Sequence, residues 1–144
     1  MLYDEAMDAV VLVRQFRYPV FARLPRDDPD AADLAAAWVL EVIAGSVAEG
    51  ENHFDVARAE LMEEAGYRIE GDLEPISTFF VSLGGASEKI VLFLGRMSKA
   101  DRIGLGGGVG EGEDIDVVDL PFDTALAMID GGEIIDAKTI IALQ

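Results

Sequence analysis

The 144-residue chain contains no cysteine and a single histidine, His53. Without cysteine it has no disulfide, no thiolate nucleophile and no cysteine-based zinc site. A serine–histidine triad would have only His53 as its base, and no serine stands in a nucleophile elbow. Basic residues are scarce and scattered, with 11 Lys and Arg against 28 Asp and Glu and a formal charge of -17. Such a chain repels a nucleic-acid backbone and an anionic membrane at long range, so neither is an expected partner. It shows no basic-then-apolar leader and no apolar run long enough to span a bilayer, so a cytoplasmic protein is the expectation.

Apolar residues make up 51% of the chain. That share argues against disorder and, at this length, for one domain over residues 1–144 with a sizeable core. Neither an internal repeat nor an interdomain linker is present. The β-branched run AVVLVRQFRY, Ala9 to Tyr18, predicts a strand. RLPRDDPDAAD then predicts a loop, with a short helix over Ala31 to Ala37. Trp38 to Ala44 is a second apolar strand that delivers the chain to Gly45. Leu73 to Ser82 and Lys89 to Met97, separated by LGGASE, predict an antiparallel pair. Met62 and the Phe79-Phe80 pair are assigned to the core. IGLGGGVGEGE, from Ile103 to Glu113, is too glycine-rich to hold a regular element, and we expect it to be mobile until something binds. It is not a dinucleotide fingerprint, because acids and a strand follow where a helix should begin. Ile115 to Leu120 returns to a strand, Pro121 to Asp130 predicts a helix stopped by Gly131, and Asp136 caps a last helix over Ala137 to Leu143. Strands interleaved with helices, but without regular βαβ alternation, predict an α/β (α+β) protein with a mixed sheet sandwiched between helices.

The segment Gly45 to Tyr67, GSVAEGENHFDVARAELMEEAGY, carries most of the chemistry. A helix beginning near Asn52 to Asp55 places Glu60 and Glu64 one turn apart on one face, with Glu63 beside them. Three carboxylates so close repel by a few tenths of a kcal/mol per pair even on an exposed helix, and a bound cation reverses that sign. Mg²⁺ takes oxygen ligands in octahedral geometry and commonly combines carboxylates, waters and substrate phosphates. The bland alternative is an acidic, solvated helix face. On the loop ahead of Ile115, Glu111 and Glu113 supply two more carboxylates flanked by Gly110 and Gly112, where solvated surface is again the bland reading. Arg14 and Arg17, flanking Gln15, are expected on one strand face where they could meet phosphate or a ribose. His53 is assigned to the helix start rather than to base catalysis.

The Gly45–Tyr67 segment resembles the Nudix box, G-x5-E-x7-R-E-U-x-E-E-x-G-U with U apolar. Gly45, Glu51, Glu60, Leu61, Glu63, Glu64 and Gly66 fall on the pattern, and Tyr67 fills the last apolar position. One position departs: Ala59 stands where the family has an arginine that steadies the glutamates. Arg58 precedes it, but adjacent helical residues point roughly 100° apart. VLVRQFRYP (Val11 to Pro19), SLGGASE (Ser82 to Glu88) and the run from Gly106 to Gln144 are similar to the Nudix hydrolases of nucleoside-diphosphate sugars, of the ADP-ribose and GDP-mannose type.

The resemblance implies the Nudix αβα sandwich and a pyrophosphatase dependent on Mg²⁺, with Mn²⁺ an alternative. It implies Glu60, Glu64, Glu113 and the Ala44 carbonyl as metal ligands, Glu111 as the base and Glu63 as support for the cluster. Glu51 becomes a structural or outer acid, and Glu88 a substrate contact. It also implies a homodimer. Members of the family carry a β-rich N-terminal segment, which the chain lacks on this reading, leaving a sheet edge open to a second subunit. The leading expectation is hydrolysis of the diphosphate of a nucleoside-diphosphate sugar, ADP-ribose or GDP-mannose, to a nucleoside monophosphate and a sugar phosphate. The alternatives are a catalytically weak Nudix nucleotide-binding module and, less favoured, hydrolysis of a nucleoside triphosphate.

Overall fold

The computed structural model describes residues 1–24 and 34–144, apart from the side chain of Glu111. Its strands are β1 (Leu2–Asp4), β2 (Ala9–Phe16), β3 (Trp38–Glu41), β4 (Glu74–Phe80), β5 (Lys89–Arg96) and β6 (Ile115–Pro121). Its α-helices are α1 (Tyr18–Phe21), α2 (His53–Ala65), α3 (Phe122–Asp130) and α4 (Ala137–Leu143). The sheet is six-stranded in the order β3-β2-β1-β5-β4, with β6 on the other side of β2. All pairings are antiparallel except β1 with β5, which makes the sheet mixed.

The sheet is organised around β2. β6 runs along it from Ala9↔Pro121 to Gln15↔Ile115, while β3 and β1 share its other side, β3 against Val13–Phe16 and β1 against Ala9–Val11. Its aliphatic run does not alternate with polar residues because both faces are covered. Val11 packs with Leu61 and Ala65 of α2, with Tyr67, Ile69 and Leu73, and with Phe93 of β5. Val10 and Leu12 pack on the opposite face with Ala125 of α3 and Ala142 and Leu143 of α4. Val10, Val11 and Leu12 are completely buried, and burial of each such side chain stabilises by about 1.5–3 kcal/mol. Helices on both faces of a mixed sheet give the expected αβα sandwich.

Local signals set the ends of α2. The Asn52 side chain accepts from the Phe54 amide at 2.8 Å, and Gly66 adopts a left-handed conformation at φ 74°. Gly66 and Tyr67 amides then bond to the Met62 and Leu61 carbonyls, closing a Schellman turn. Gly131 and Asp136 act at the helix ends as expected, the latter accepting from the Thr139 amide at 2.9 Å.

Several expectations are corrected. β1 escapes a pattern reading because three residues carry no period. β3 stops at Glu41, and residues 42–48 continue without regular structure. The short element after the acidic loop is a 3-10 turn, Leu34–Ala37; the expected start at Ala31 and most of the acidic loop lie outside the described residues. Phe79 packs against the core, whereas Phe80, one position on, points the other way and is 49% exposed. The glycine-rich segment is held by backbone hydrogen bonds to the end of α2 rather than left unattached.

A charged network ties β3 to α4. The buried Glu41 carboxylate accepts from Arg17 Nη2 at 2.9 Å and from Lys138 Nζ at 3.3 Å, and Lys138 also reaches Asp136 at 2.7 Å. Thr139 Oγ1 donates to Asp136 at 2.7 Å and accepts from the Val42 amide at 2.8 Å. Burial by itself would lower the Lys138 pKa, but its bonds to the two carboxylates hold it above the ordinary value. Removing Glu41 takes away the partner of half-exposed Arg17 and one of the two carboxylates on Lys138. Glu41→Ala is therefore expected to destabilise the fold by about 1–3 kcal/mol, read as a shift in the urea midpoint at unchanged slope.

Candidate active site

A cleft of about 560 Å³ opens between residues 42–51, the face of α2 bearing Val56 and Glu60, and β5. Glu88, Lys89, His53 and Lys138 also line it. The Glu60 carboxylate lies so close to Gly45 that a Cβ there would overlap it. A larger residue there would displace the Glu60 carboxylate.

Glu64, one turn further along α2, is 5% exposed, and its Oε2 accepts from the Ala44 amide at 3.3 Å. Its pKa is raised from 4.5 to about 7, first by burial and then by the charges of Glu60 and Glu113, against the Ala44 hydrogen bond and the more distant Arg17. Glu113 comes from the other side. Its carboxylate folds back beside Gly108, and its amide donates to the Gly108 carbonyl at 3.1 Å. The helix and the loop therefore bring Glu60 and Glu113 close enough to oppose the ionisation of Glu64, with the Ala44 backbone beside it.

Among the described residues, no three acidic or histidine side chains are already gathered around one point as a cation would hold them. Glu60 rests against Gly45, Glu64 accepts from the Ala44 amide and Glu113 lies against Gly108. The donors are nevertheless all oxygens, and one is a carboxylate taken out of water next to two like charges. That chemistry fits a hard divalent cation such as Mg²⁺.

The other expected site residues fall into distinct places. Glu63 is exposed beside the cluster. The Glu111 side chain lies outside the described residues; its backbone closes a 3-10 turn, Val109–Glu111. Glu51 lines the cleft and accepts from the Ala48 amide at 2.7 Å, holding the turn before α2. Glu88 is exposed at the cleft wall. His53 is the first residue of α2 and is exposed.

Arg14 and Arg17 do not share a face. A strand repeats every two residues, so positions three apart cannot lie on the same side, and β2 ends at Phe16. Arg14 binds Asp116, directly opposite it on β6, at 2.6 Å, whereas Arg17 binds Glu41. Arg58 does not take the place of the arginine missing at position 59: it donates to the Gly71 carbonyl at 2.8 Å and secures the chain after α2. Sequence reasoning missed Glu41 and Lys138. Their signal was a lone acid among apolar residues in WVLEVIAG and a lone base in IIDAKTII.

No family model matches the chain. GDP-mannose pyrophosphatase of Salmonella typhimurium (strain LT2) is 36% identical over all 144 residues, which span 69% of that protein. The proteins of the same name from Enterobacter sp. (strain 638) and Pectobacterium atrosepticum are each 35% identical over the whole chain, covering 69% and 68% of their lengths. Among solved structures, one described as "Crystal structure of ADP compounds hydrolase" superposes with a TM-score of 0.71 over 99% of this chain and 66% of its own, at 18% identity. That likeness establishes the fold.

The raised Glu64 pKa has a consequence for stability. The folded state holds this proton more tightly than the unfolded chain, so the group's contribution is fully present below pH 4.5 and is lost as pH rises to about 7. In metal-free protein, the melting temperature of the wild type relative to Glu64→Gln should fall across that window. Added Mg²⁺ should restore it above pH 7, as calorimetric scans of both proteins would show.

Proposed function

This chain belongs to the Nudix pyrophosphatases of the nucleoside-diphosphate-sugar type, and from that premise we propose that it hydrolyses the diphosphate bond of GDP-mannose or ADP-ribose in a Mg²⁺-dependent reaction. The products are a nucleoside monophosphate and a sugar phosphate. The observation that carries the reading is the desolvated Glu64 carboxylate, flanked by Glu60 and Glu113 and bonded to the Ala44 amide at the cleft. In this assignment Glu60, Glu64, Glu113 and the Ala44 carbonyl hold Mg²⁺, or Mn²⁺ in its place. When bound, the cation neutralises the phosphoryl oxygens that would otherwise be repelled by a strongly acidic protein.

The chain's own groups supply the rest. Water adds to one phosphorus as the bridging P–O bond breaks, and Glu111 takes the water's proton. Glu63 supports the cluster from the adjacent position on α2. Lys89 and Lys138 are the lysines lining the cleft and are suited to the diphosphate, and Glu88 to sugar hydroxyls. Arg17 assists indirectly: held by Glu41, it is a cation whose field favours the ionised form of Glu64, partly replacing the arginine absent at position 59. Arg14, paired with Asp116 at the end of β2, is assigned to the outer rim of the substrate site. For a partner we propose a second copy of the chain. β4 ends the sheet and exposes Ile76 and Phe80, with Val81 and Leu83 just beyond, a surface suited to such a contact. No helix among the described residues is long and apolar enough to cross a membrane.

Ala59 favours one competing reading, a module that binds nucleotides without turning them over. The two separate on product formation by purified protein offered GDP-mannose, ADP-ribose and nucleoside triphosphates, with and without Mg²⁺. Glu64→Gln should retain the fold and lose activity by about a hundredfold or more. Thermal stabilisation by a nucleotide sugar without product would instead establish binding alone.

A further inference from the structure

The last carbonyls of an α-helix lack intrahelical partners and carry the negative end of its dipole. In α2 the amides of Gly66 and Tyr67 close two of them. The next two are closed by a distant part of the chain: Gly108 N donates to the Glu63 carbonyl at 3.1 Å, and Gly107 N to the Glu64 carbonyl at 2.7 Å. Just past the helix, the Gly66 carbonyl accepts from Ile103 N at 2.9 Å and Gly104 N at 3.0 Å.

At two positions the approach leaves no room for a side chain. A Cβ on Gly106, whose φ is +72°, would overlap the Glu64 carbonyl oxygen, and one on Gly66 would overlap that of Gly104. The same segment leads directly to Glu113, whose amide is bonded to the Gly108 carbonyl. A short series of backbone hydrogen bonds therefore links the residues bearing the helix carboxylates to the residue bearing the loop carboxylate.

We propose that Gly106, Gly107 and Gly108 are positioning residues, which dock the loop onto the Glu63 and Glu64 carbonyls and so set Glu113 in register with Glu60 and Glu64. The proposal rests on the reading of those glutamates as cation ligands. Mg²⁺ demands near-ideal octahedral geometry, so ligands drawn from two separate elements must be held in a fixed relation. A misplacement of about 1 Å at such a site costs on the order of a hundredfold in rate. A glycine run, which invites a reading as a flexible lid, is here what allows two backbones to touch.

The test compares Gly106→Ala with Gly132→Ala. Gly132 has a similar φ of +78°, but a Cβ there meets nothing within 4 Å, so it carries the backbone strain without the clash. The readouts are amide hydrogen exchange at Gly107 and Gly108 in metal-free protein, Mg²⁺ affinity by titration calorimetry, and kcat and KM for GDP-mannose. Gly106→Ala should lose protection at both amides and lose about tenfold or more in Mg²⁺ affinity and kcat, while Gly132→Ala keeps wild-type values. Wild-type protection and affinity in Gly106→Ala would overturn the proposal, as would unprotected Gly107 and Gly108 amides in the wild type. Should Gly106→Ala not fold, Gly108→Ala, whose Cβ would meet the Glu113 side chain and Ile115 Cδ1, is expected to show the same loss of Mg²⁺ affinity, and unchanged affinity would count against the docking role. A wild type that binds no Mg²⁺, yet keeps the two amides protected, would refute the cation site itself and with it the positioning role.

Discussion

Glu64 is a carboxylate withdrawn from water beside two others, and the architecture around it serves to keep it there. Burial and like charge both oppose its ionisation, which is why its pKa approaches neutrality. Offsetting contributions are few: one backbone amide, from Ala44, and the field of an arginine that is itself bound to another acid. A group held this way in a folded protein is a cost to stability at neutral pH. The same chemistry suits a hard divalent cation, because positive charge would offset both the burial and the like charge.

Three separate parts of the fold converge on Glu64. α2 contributes Glu60 and Glu64, and it is anchored through Leu61 and Ala65 to one face of β2. The extension of β3 contributes Ala44 and Gly45, and it is anchored on the other side of the sheet where Val42 bonds to Thr139 of α4. The glycine segment contributes Glu113 through its backbone contacts with the end of α2. β2, buried on both faces, joins the core under α2 through Val11 and the core under α3 and α4 through Val10 and Leu12. Its uninterrupted aliphatic run is accordingly the structural counterpart of the acidic box.

Charge pairing explains how the site is organised despite a formal charge of -17. Two of the cations near it are half-buried and partnered, Arg17 and Lys138 both meeting at Glu41. Exposed pairs, such as Arg14 with Asp116, contribute little to stability by comparison because water screens them. A cation fixed by two carboxylates, as Lys138 is, keeps its geometry at the expense of part of its field.

Local order in this protein was legible from residue types. Asp136 as a cap, Gly131 as a stop, and the antiparallel pair around LGGASE each follow from the chemistry of one or a few residues. The box glutamates were legible too, because helical spacing puts Glu60 and Glu64 one turn apart whatever surrounds them. What lay beyond reach depended on the partner an element meets. β1 is a strand only because β2 and β5 flank it. Phe80 is exposed because of the side of the sheet its register selects, and Glu41 is buried because Arg17 and Lys138 arrive from remote positions. The sequence by itself determined the elements, the family pattern and the oxygen-donor chemistry of the site, since these rest on short-range geometry and side-chain identity. Tertiary structure alone decided that Glu64 loses its water, that Arg17 pairs with Glu41, and that a glycine run closes the end of α2, because each depends on contacts between residues far apart in the chain.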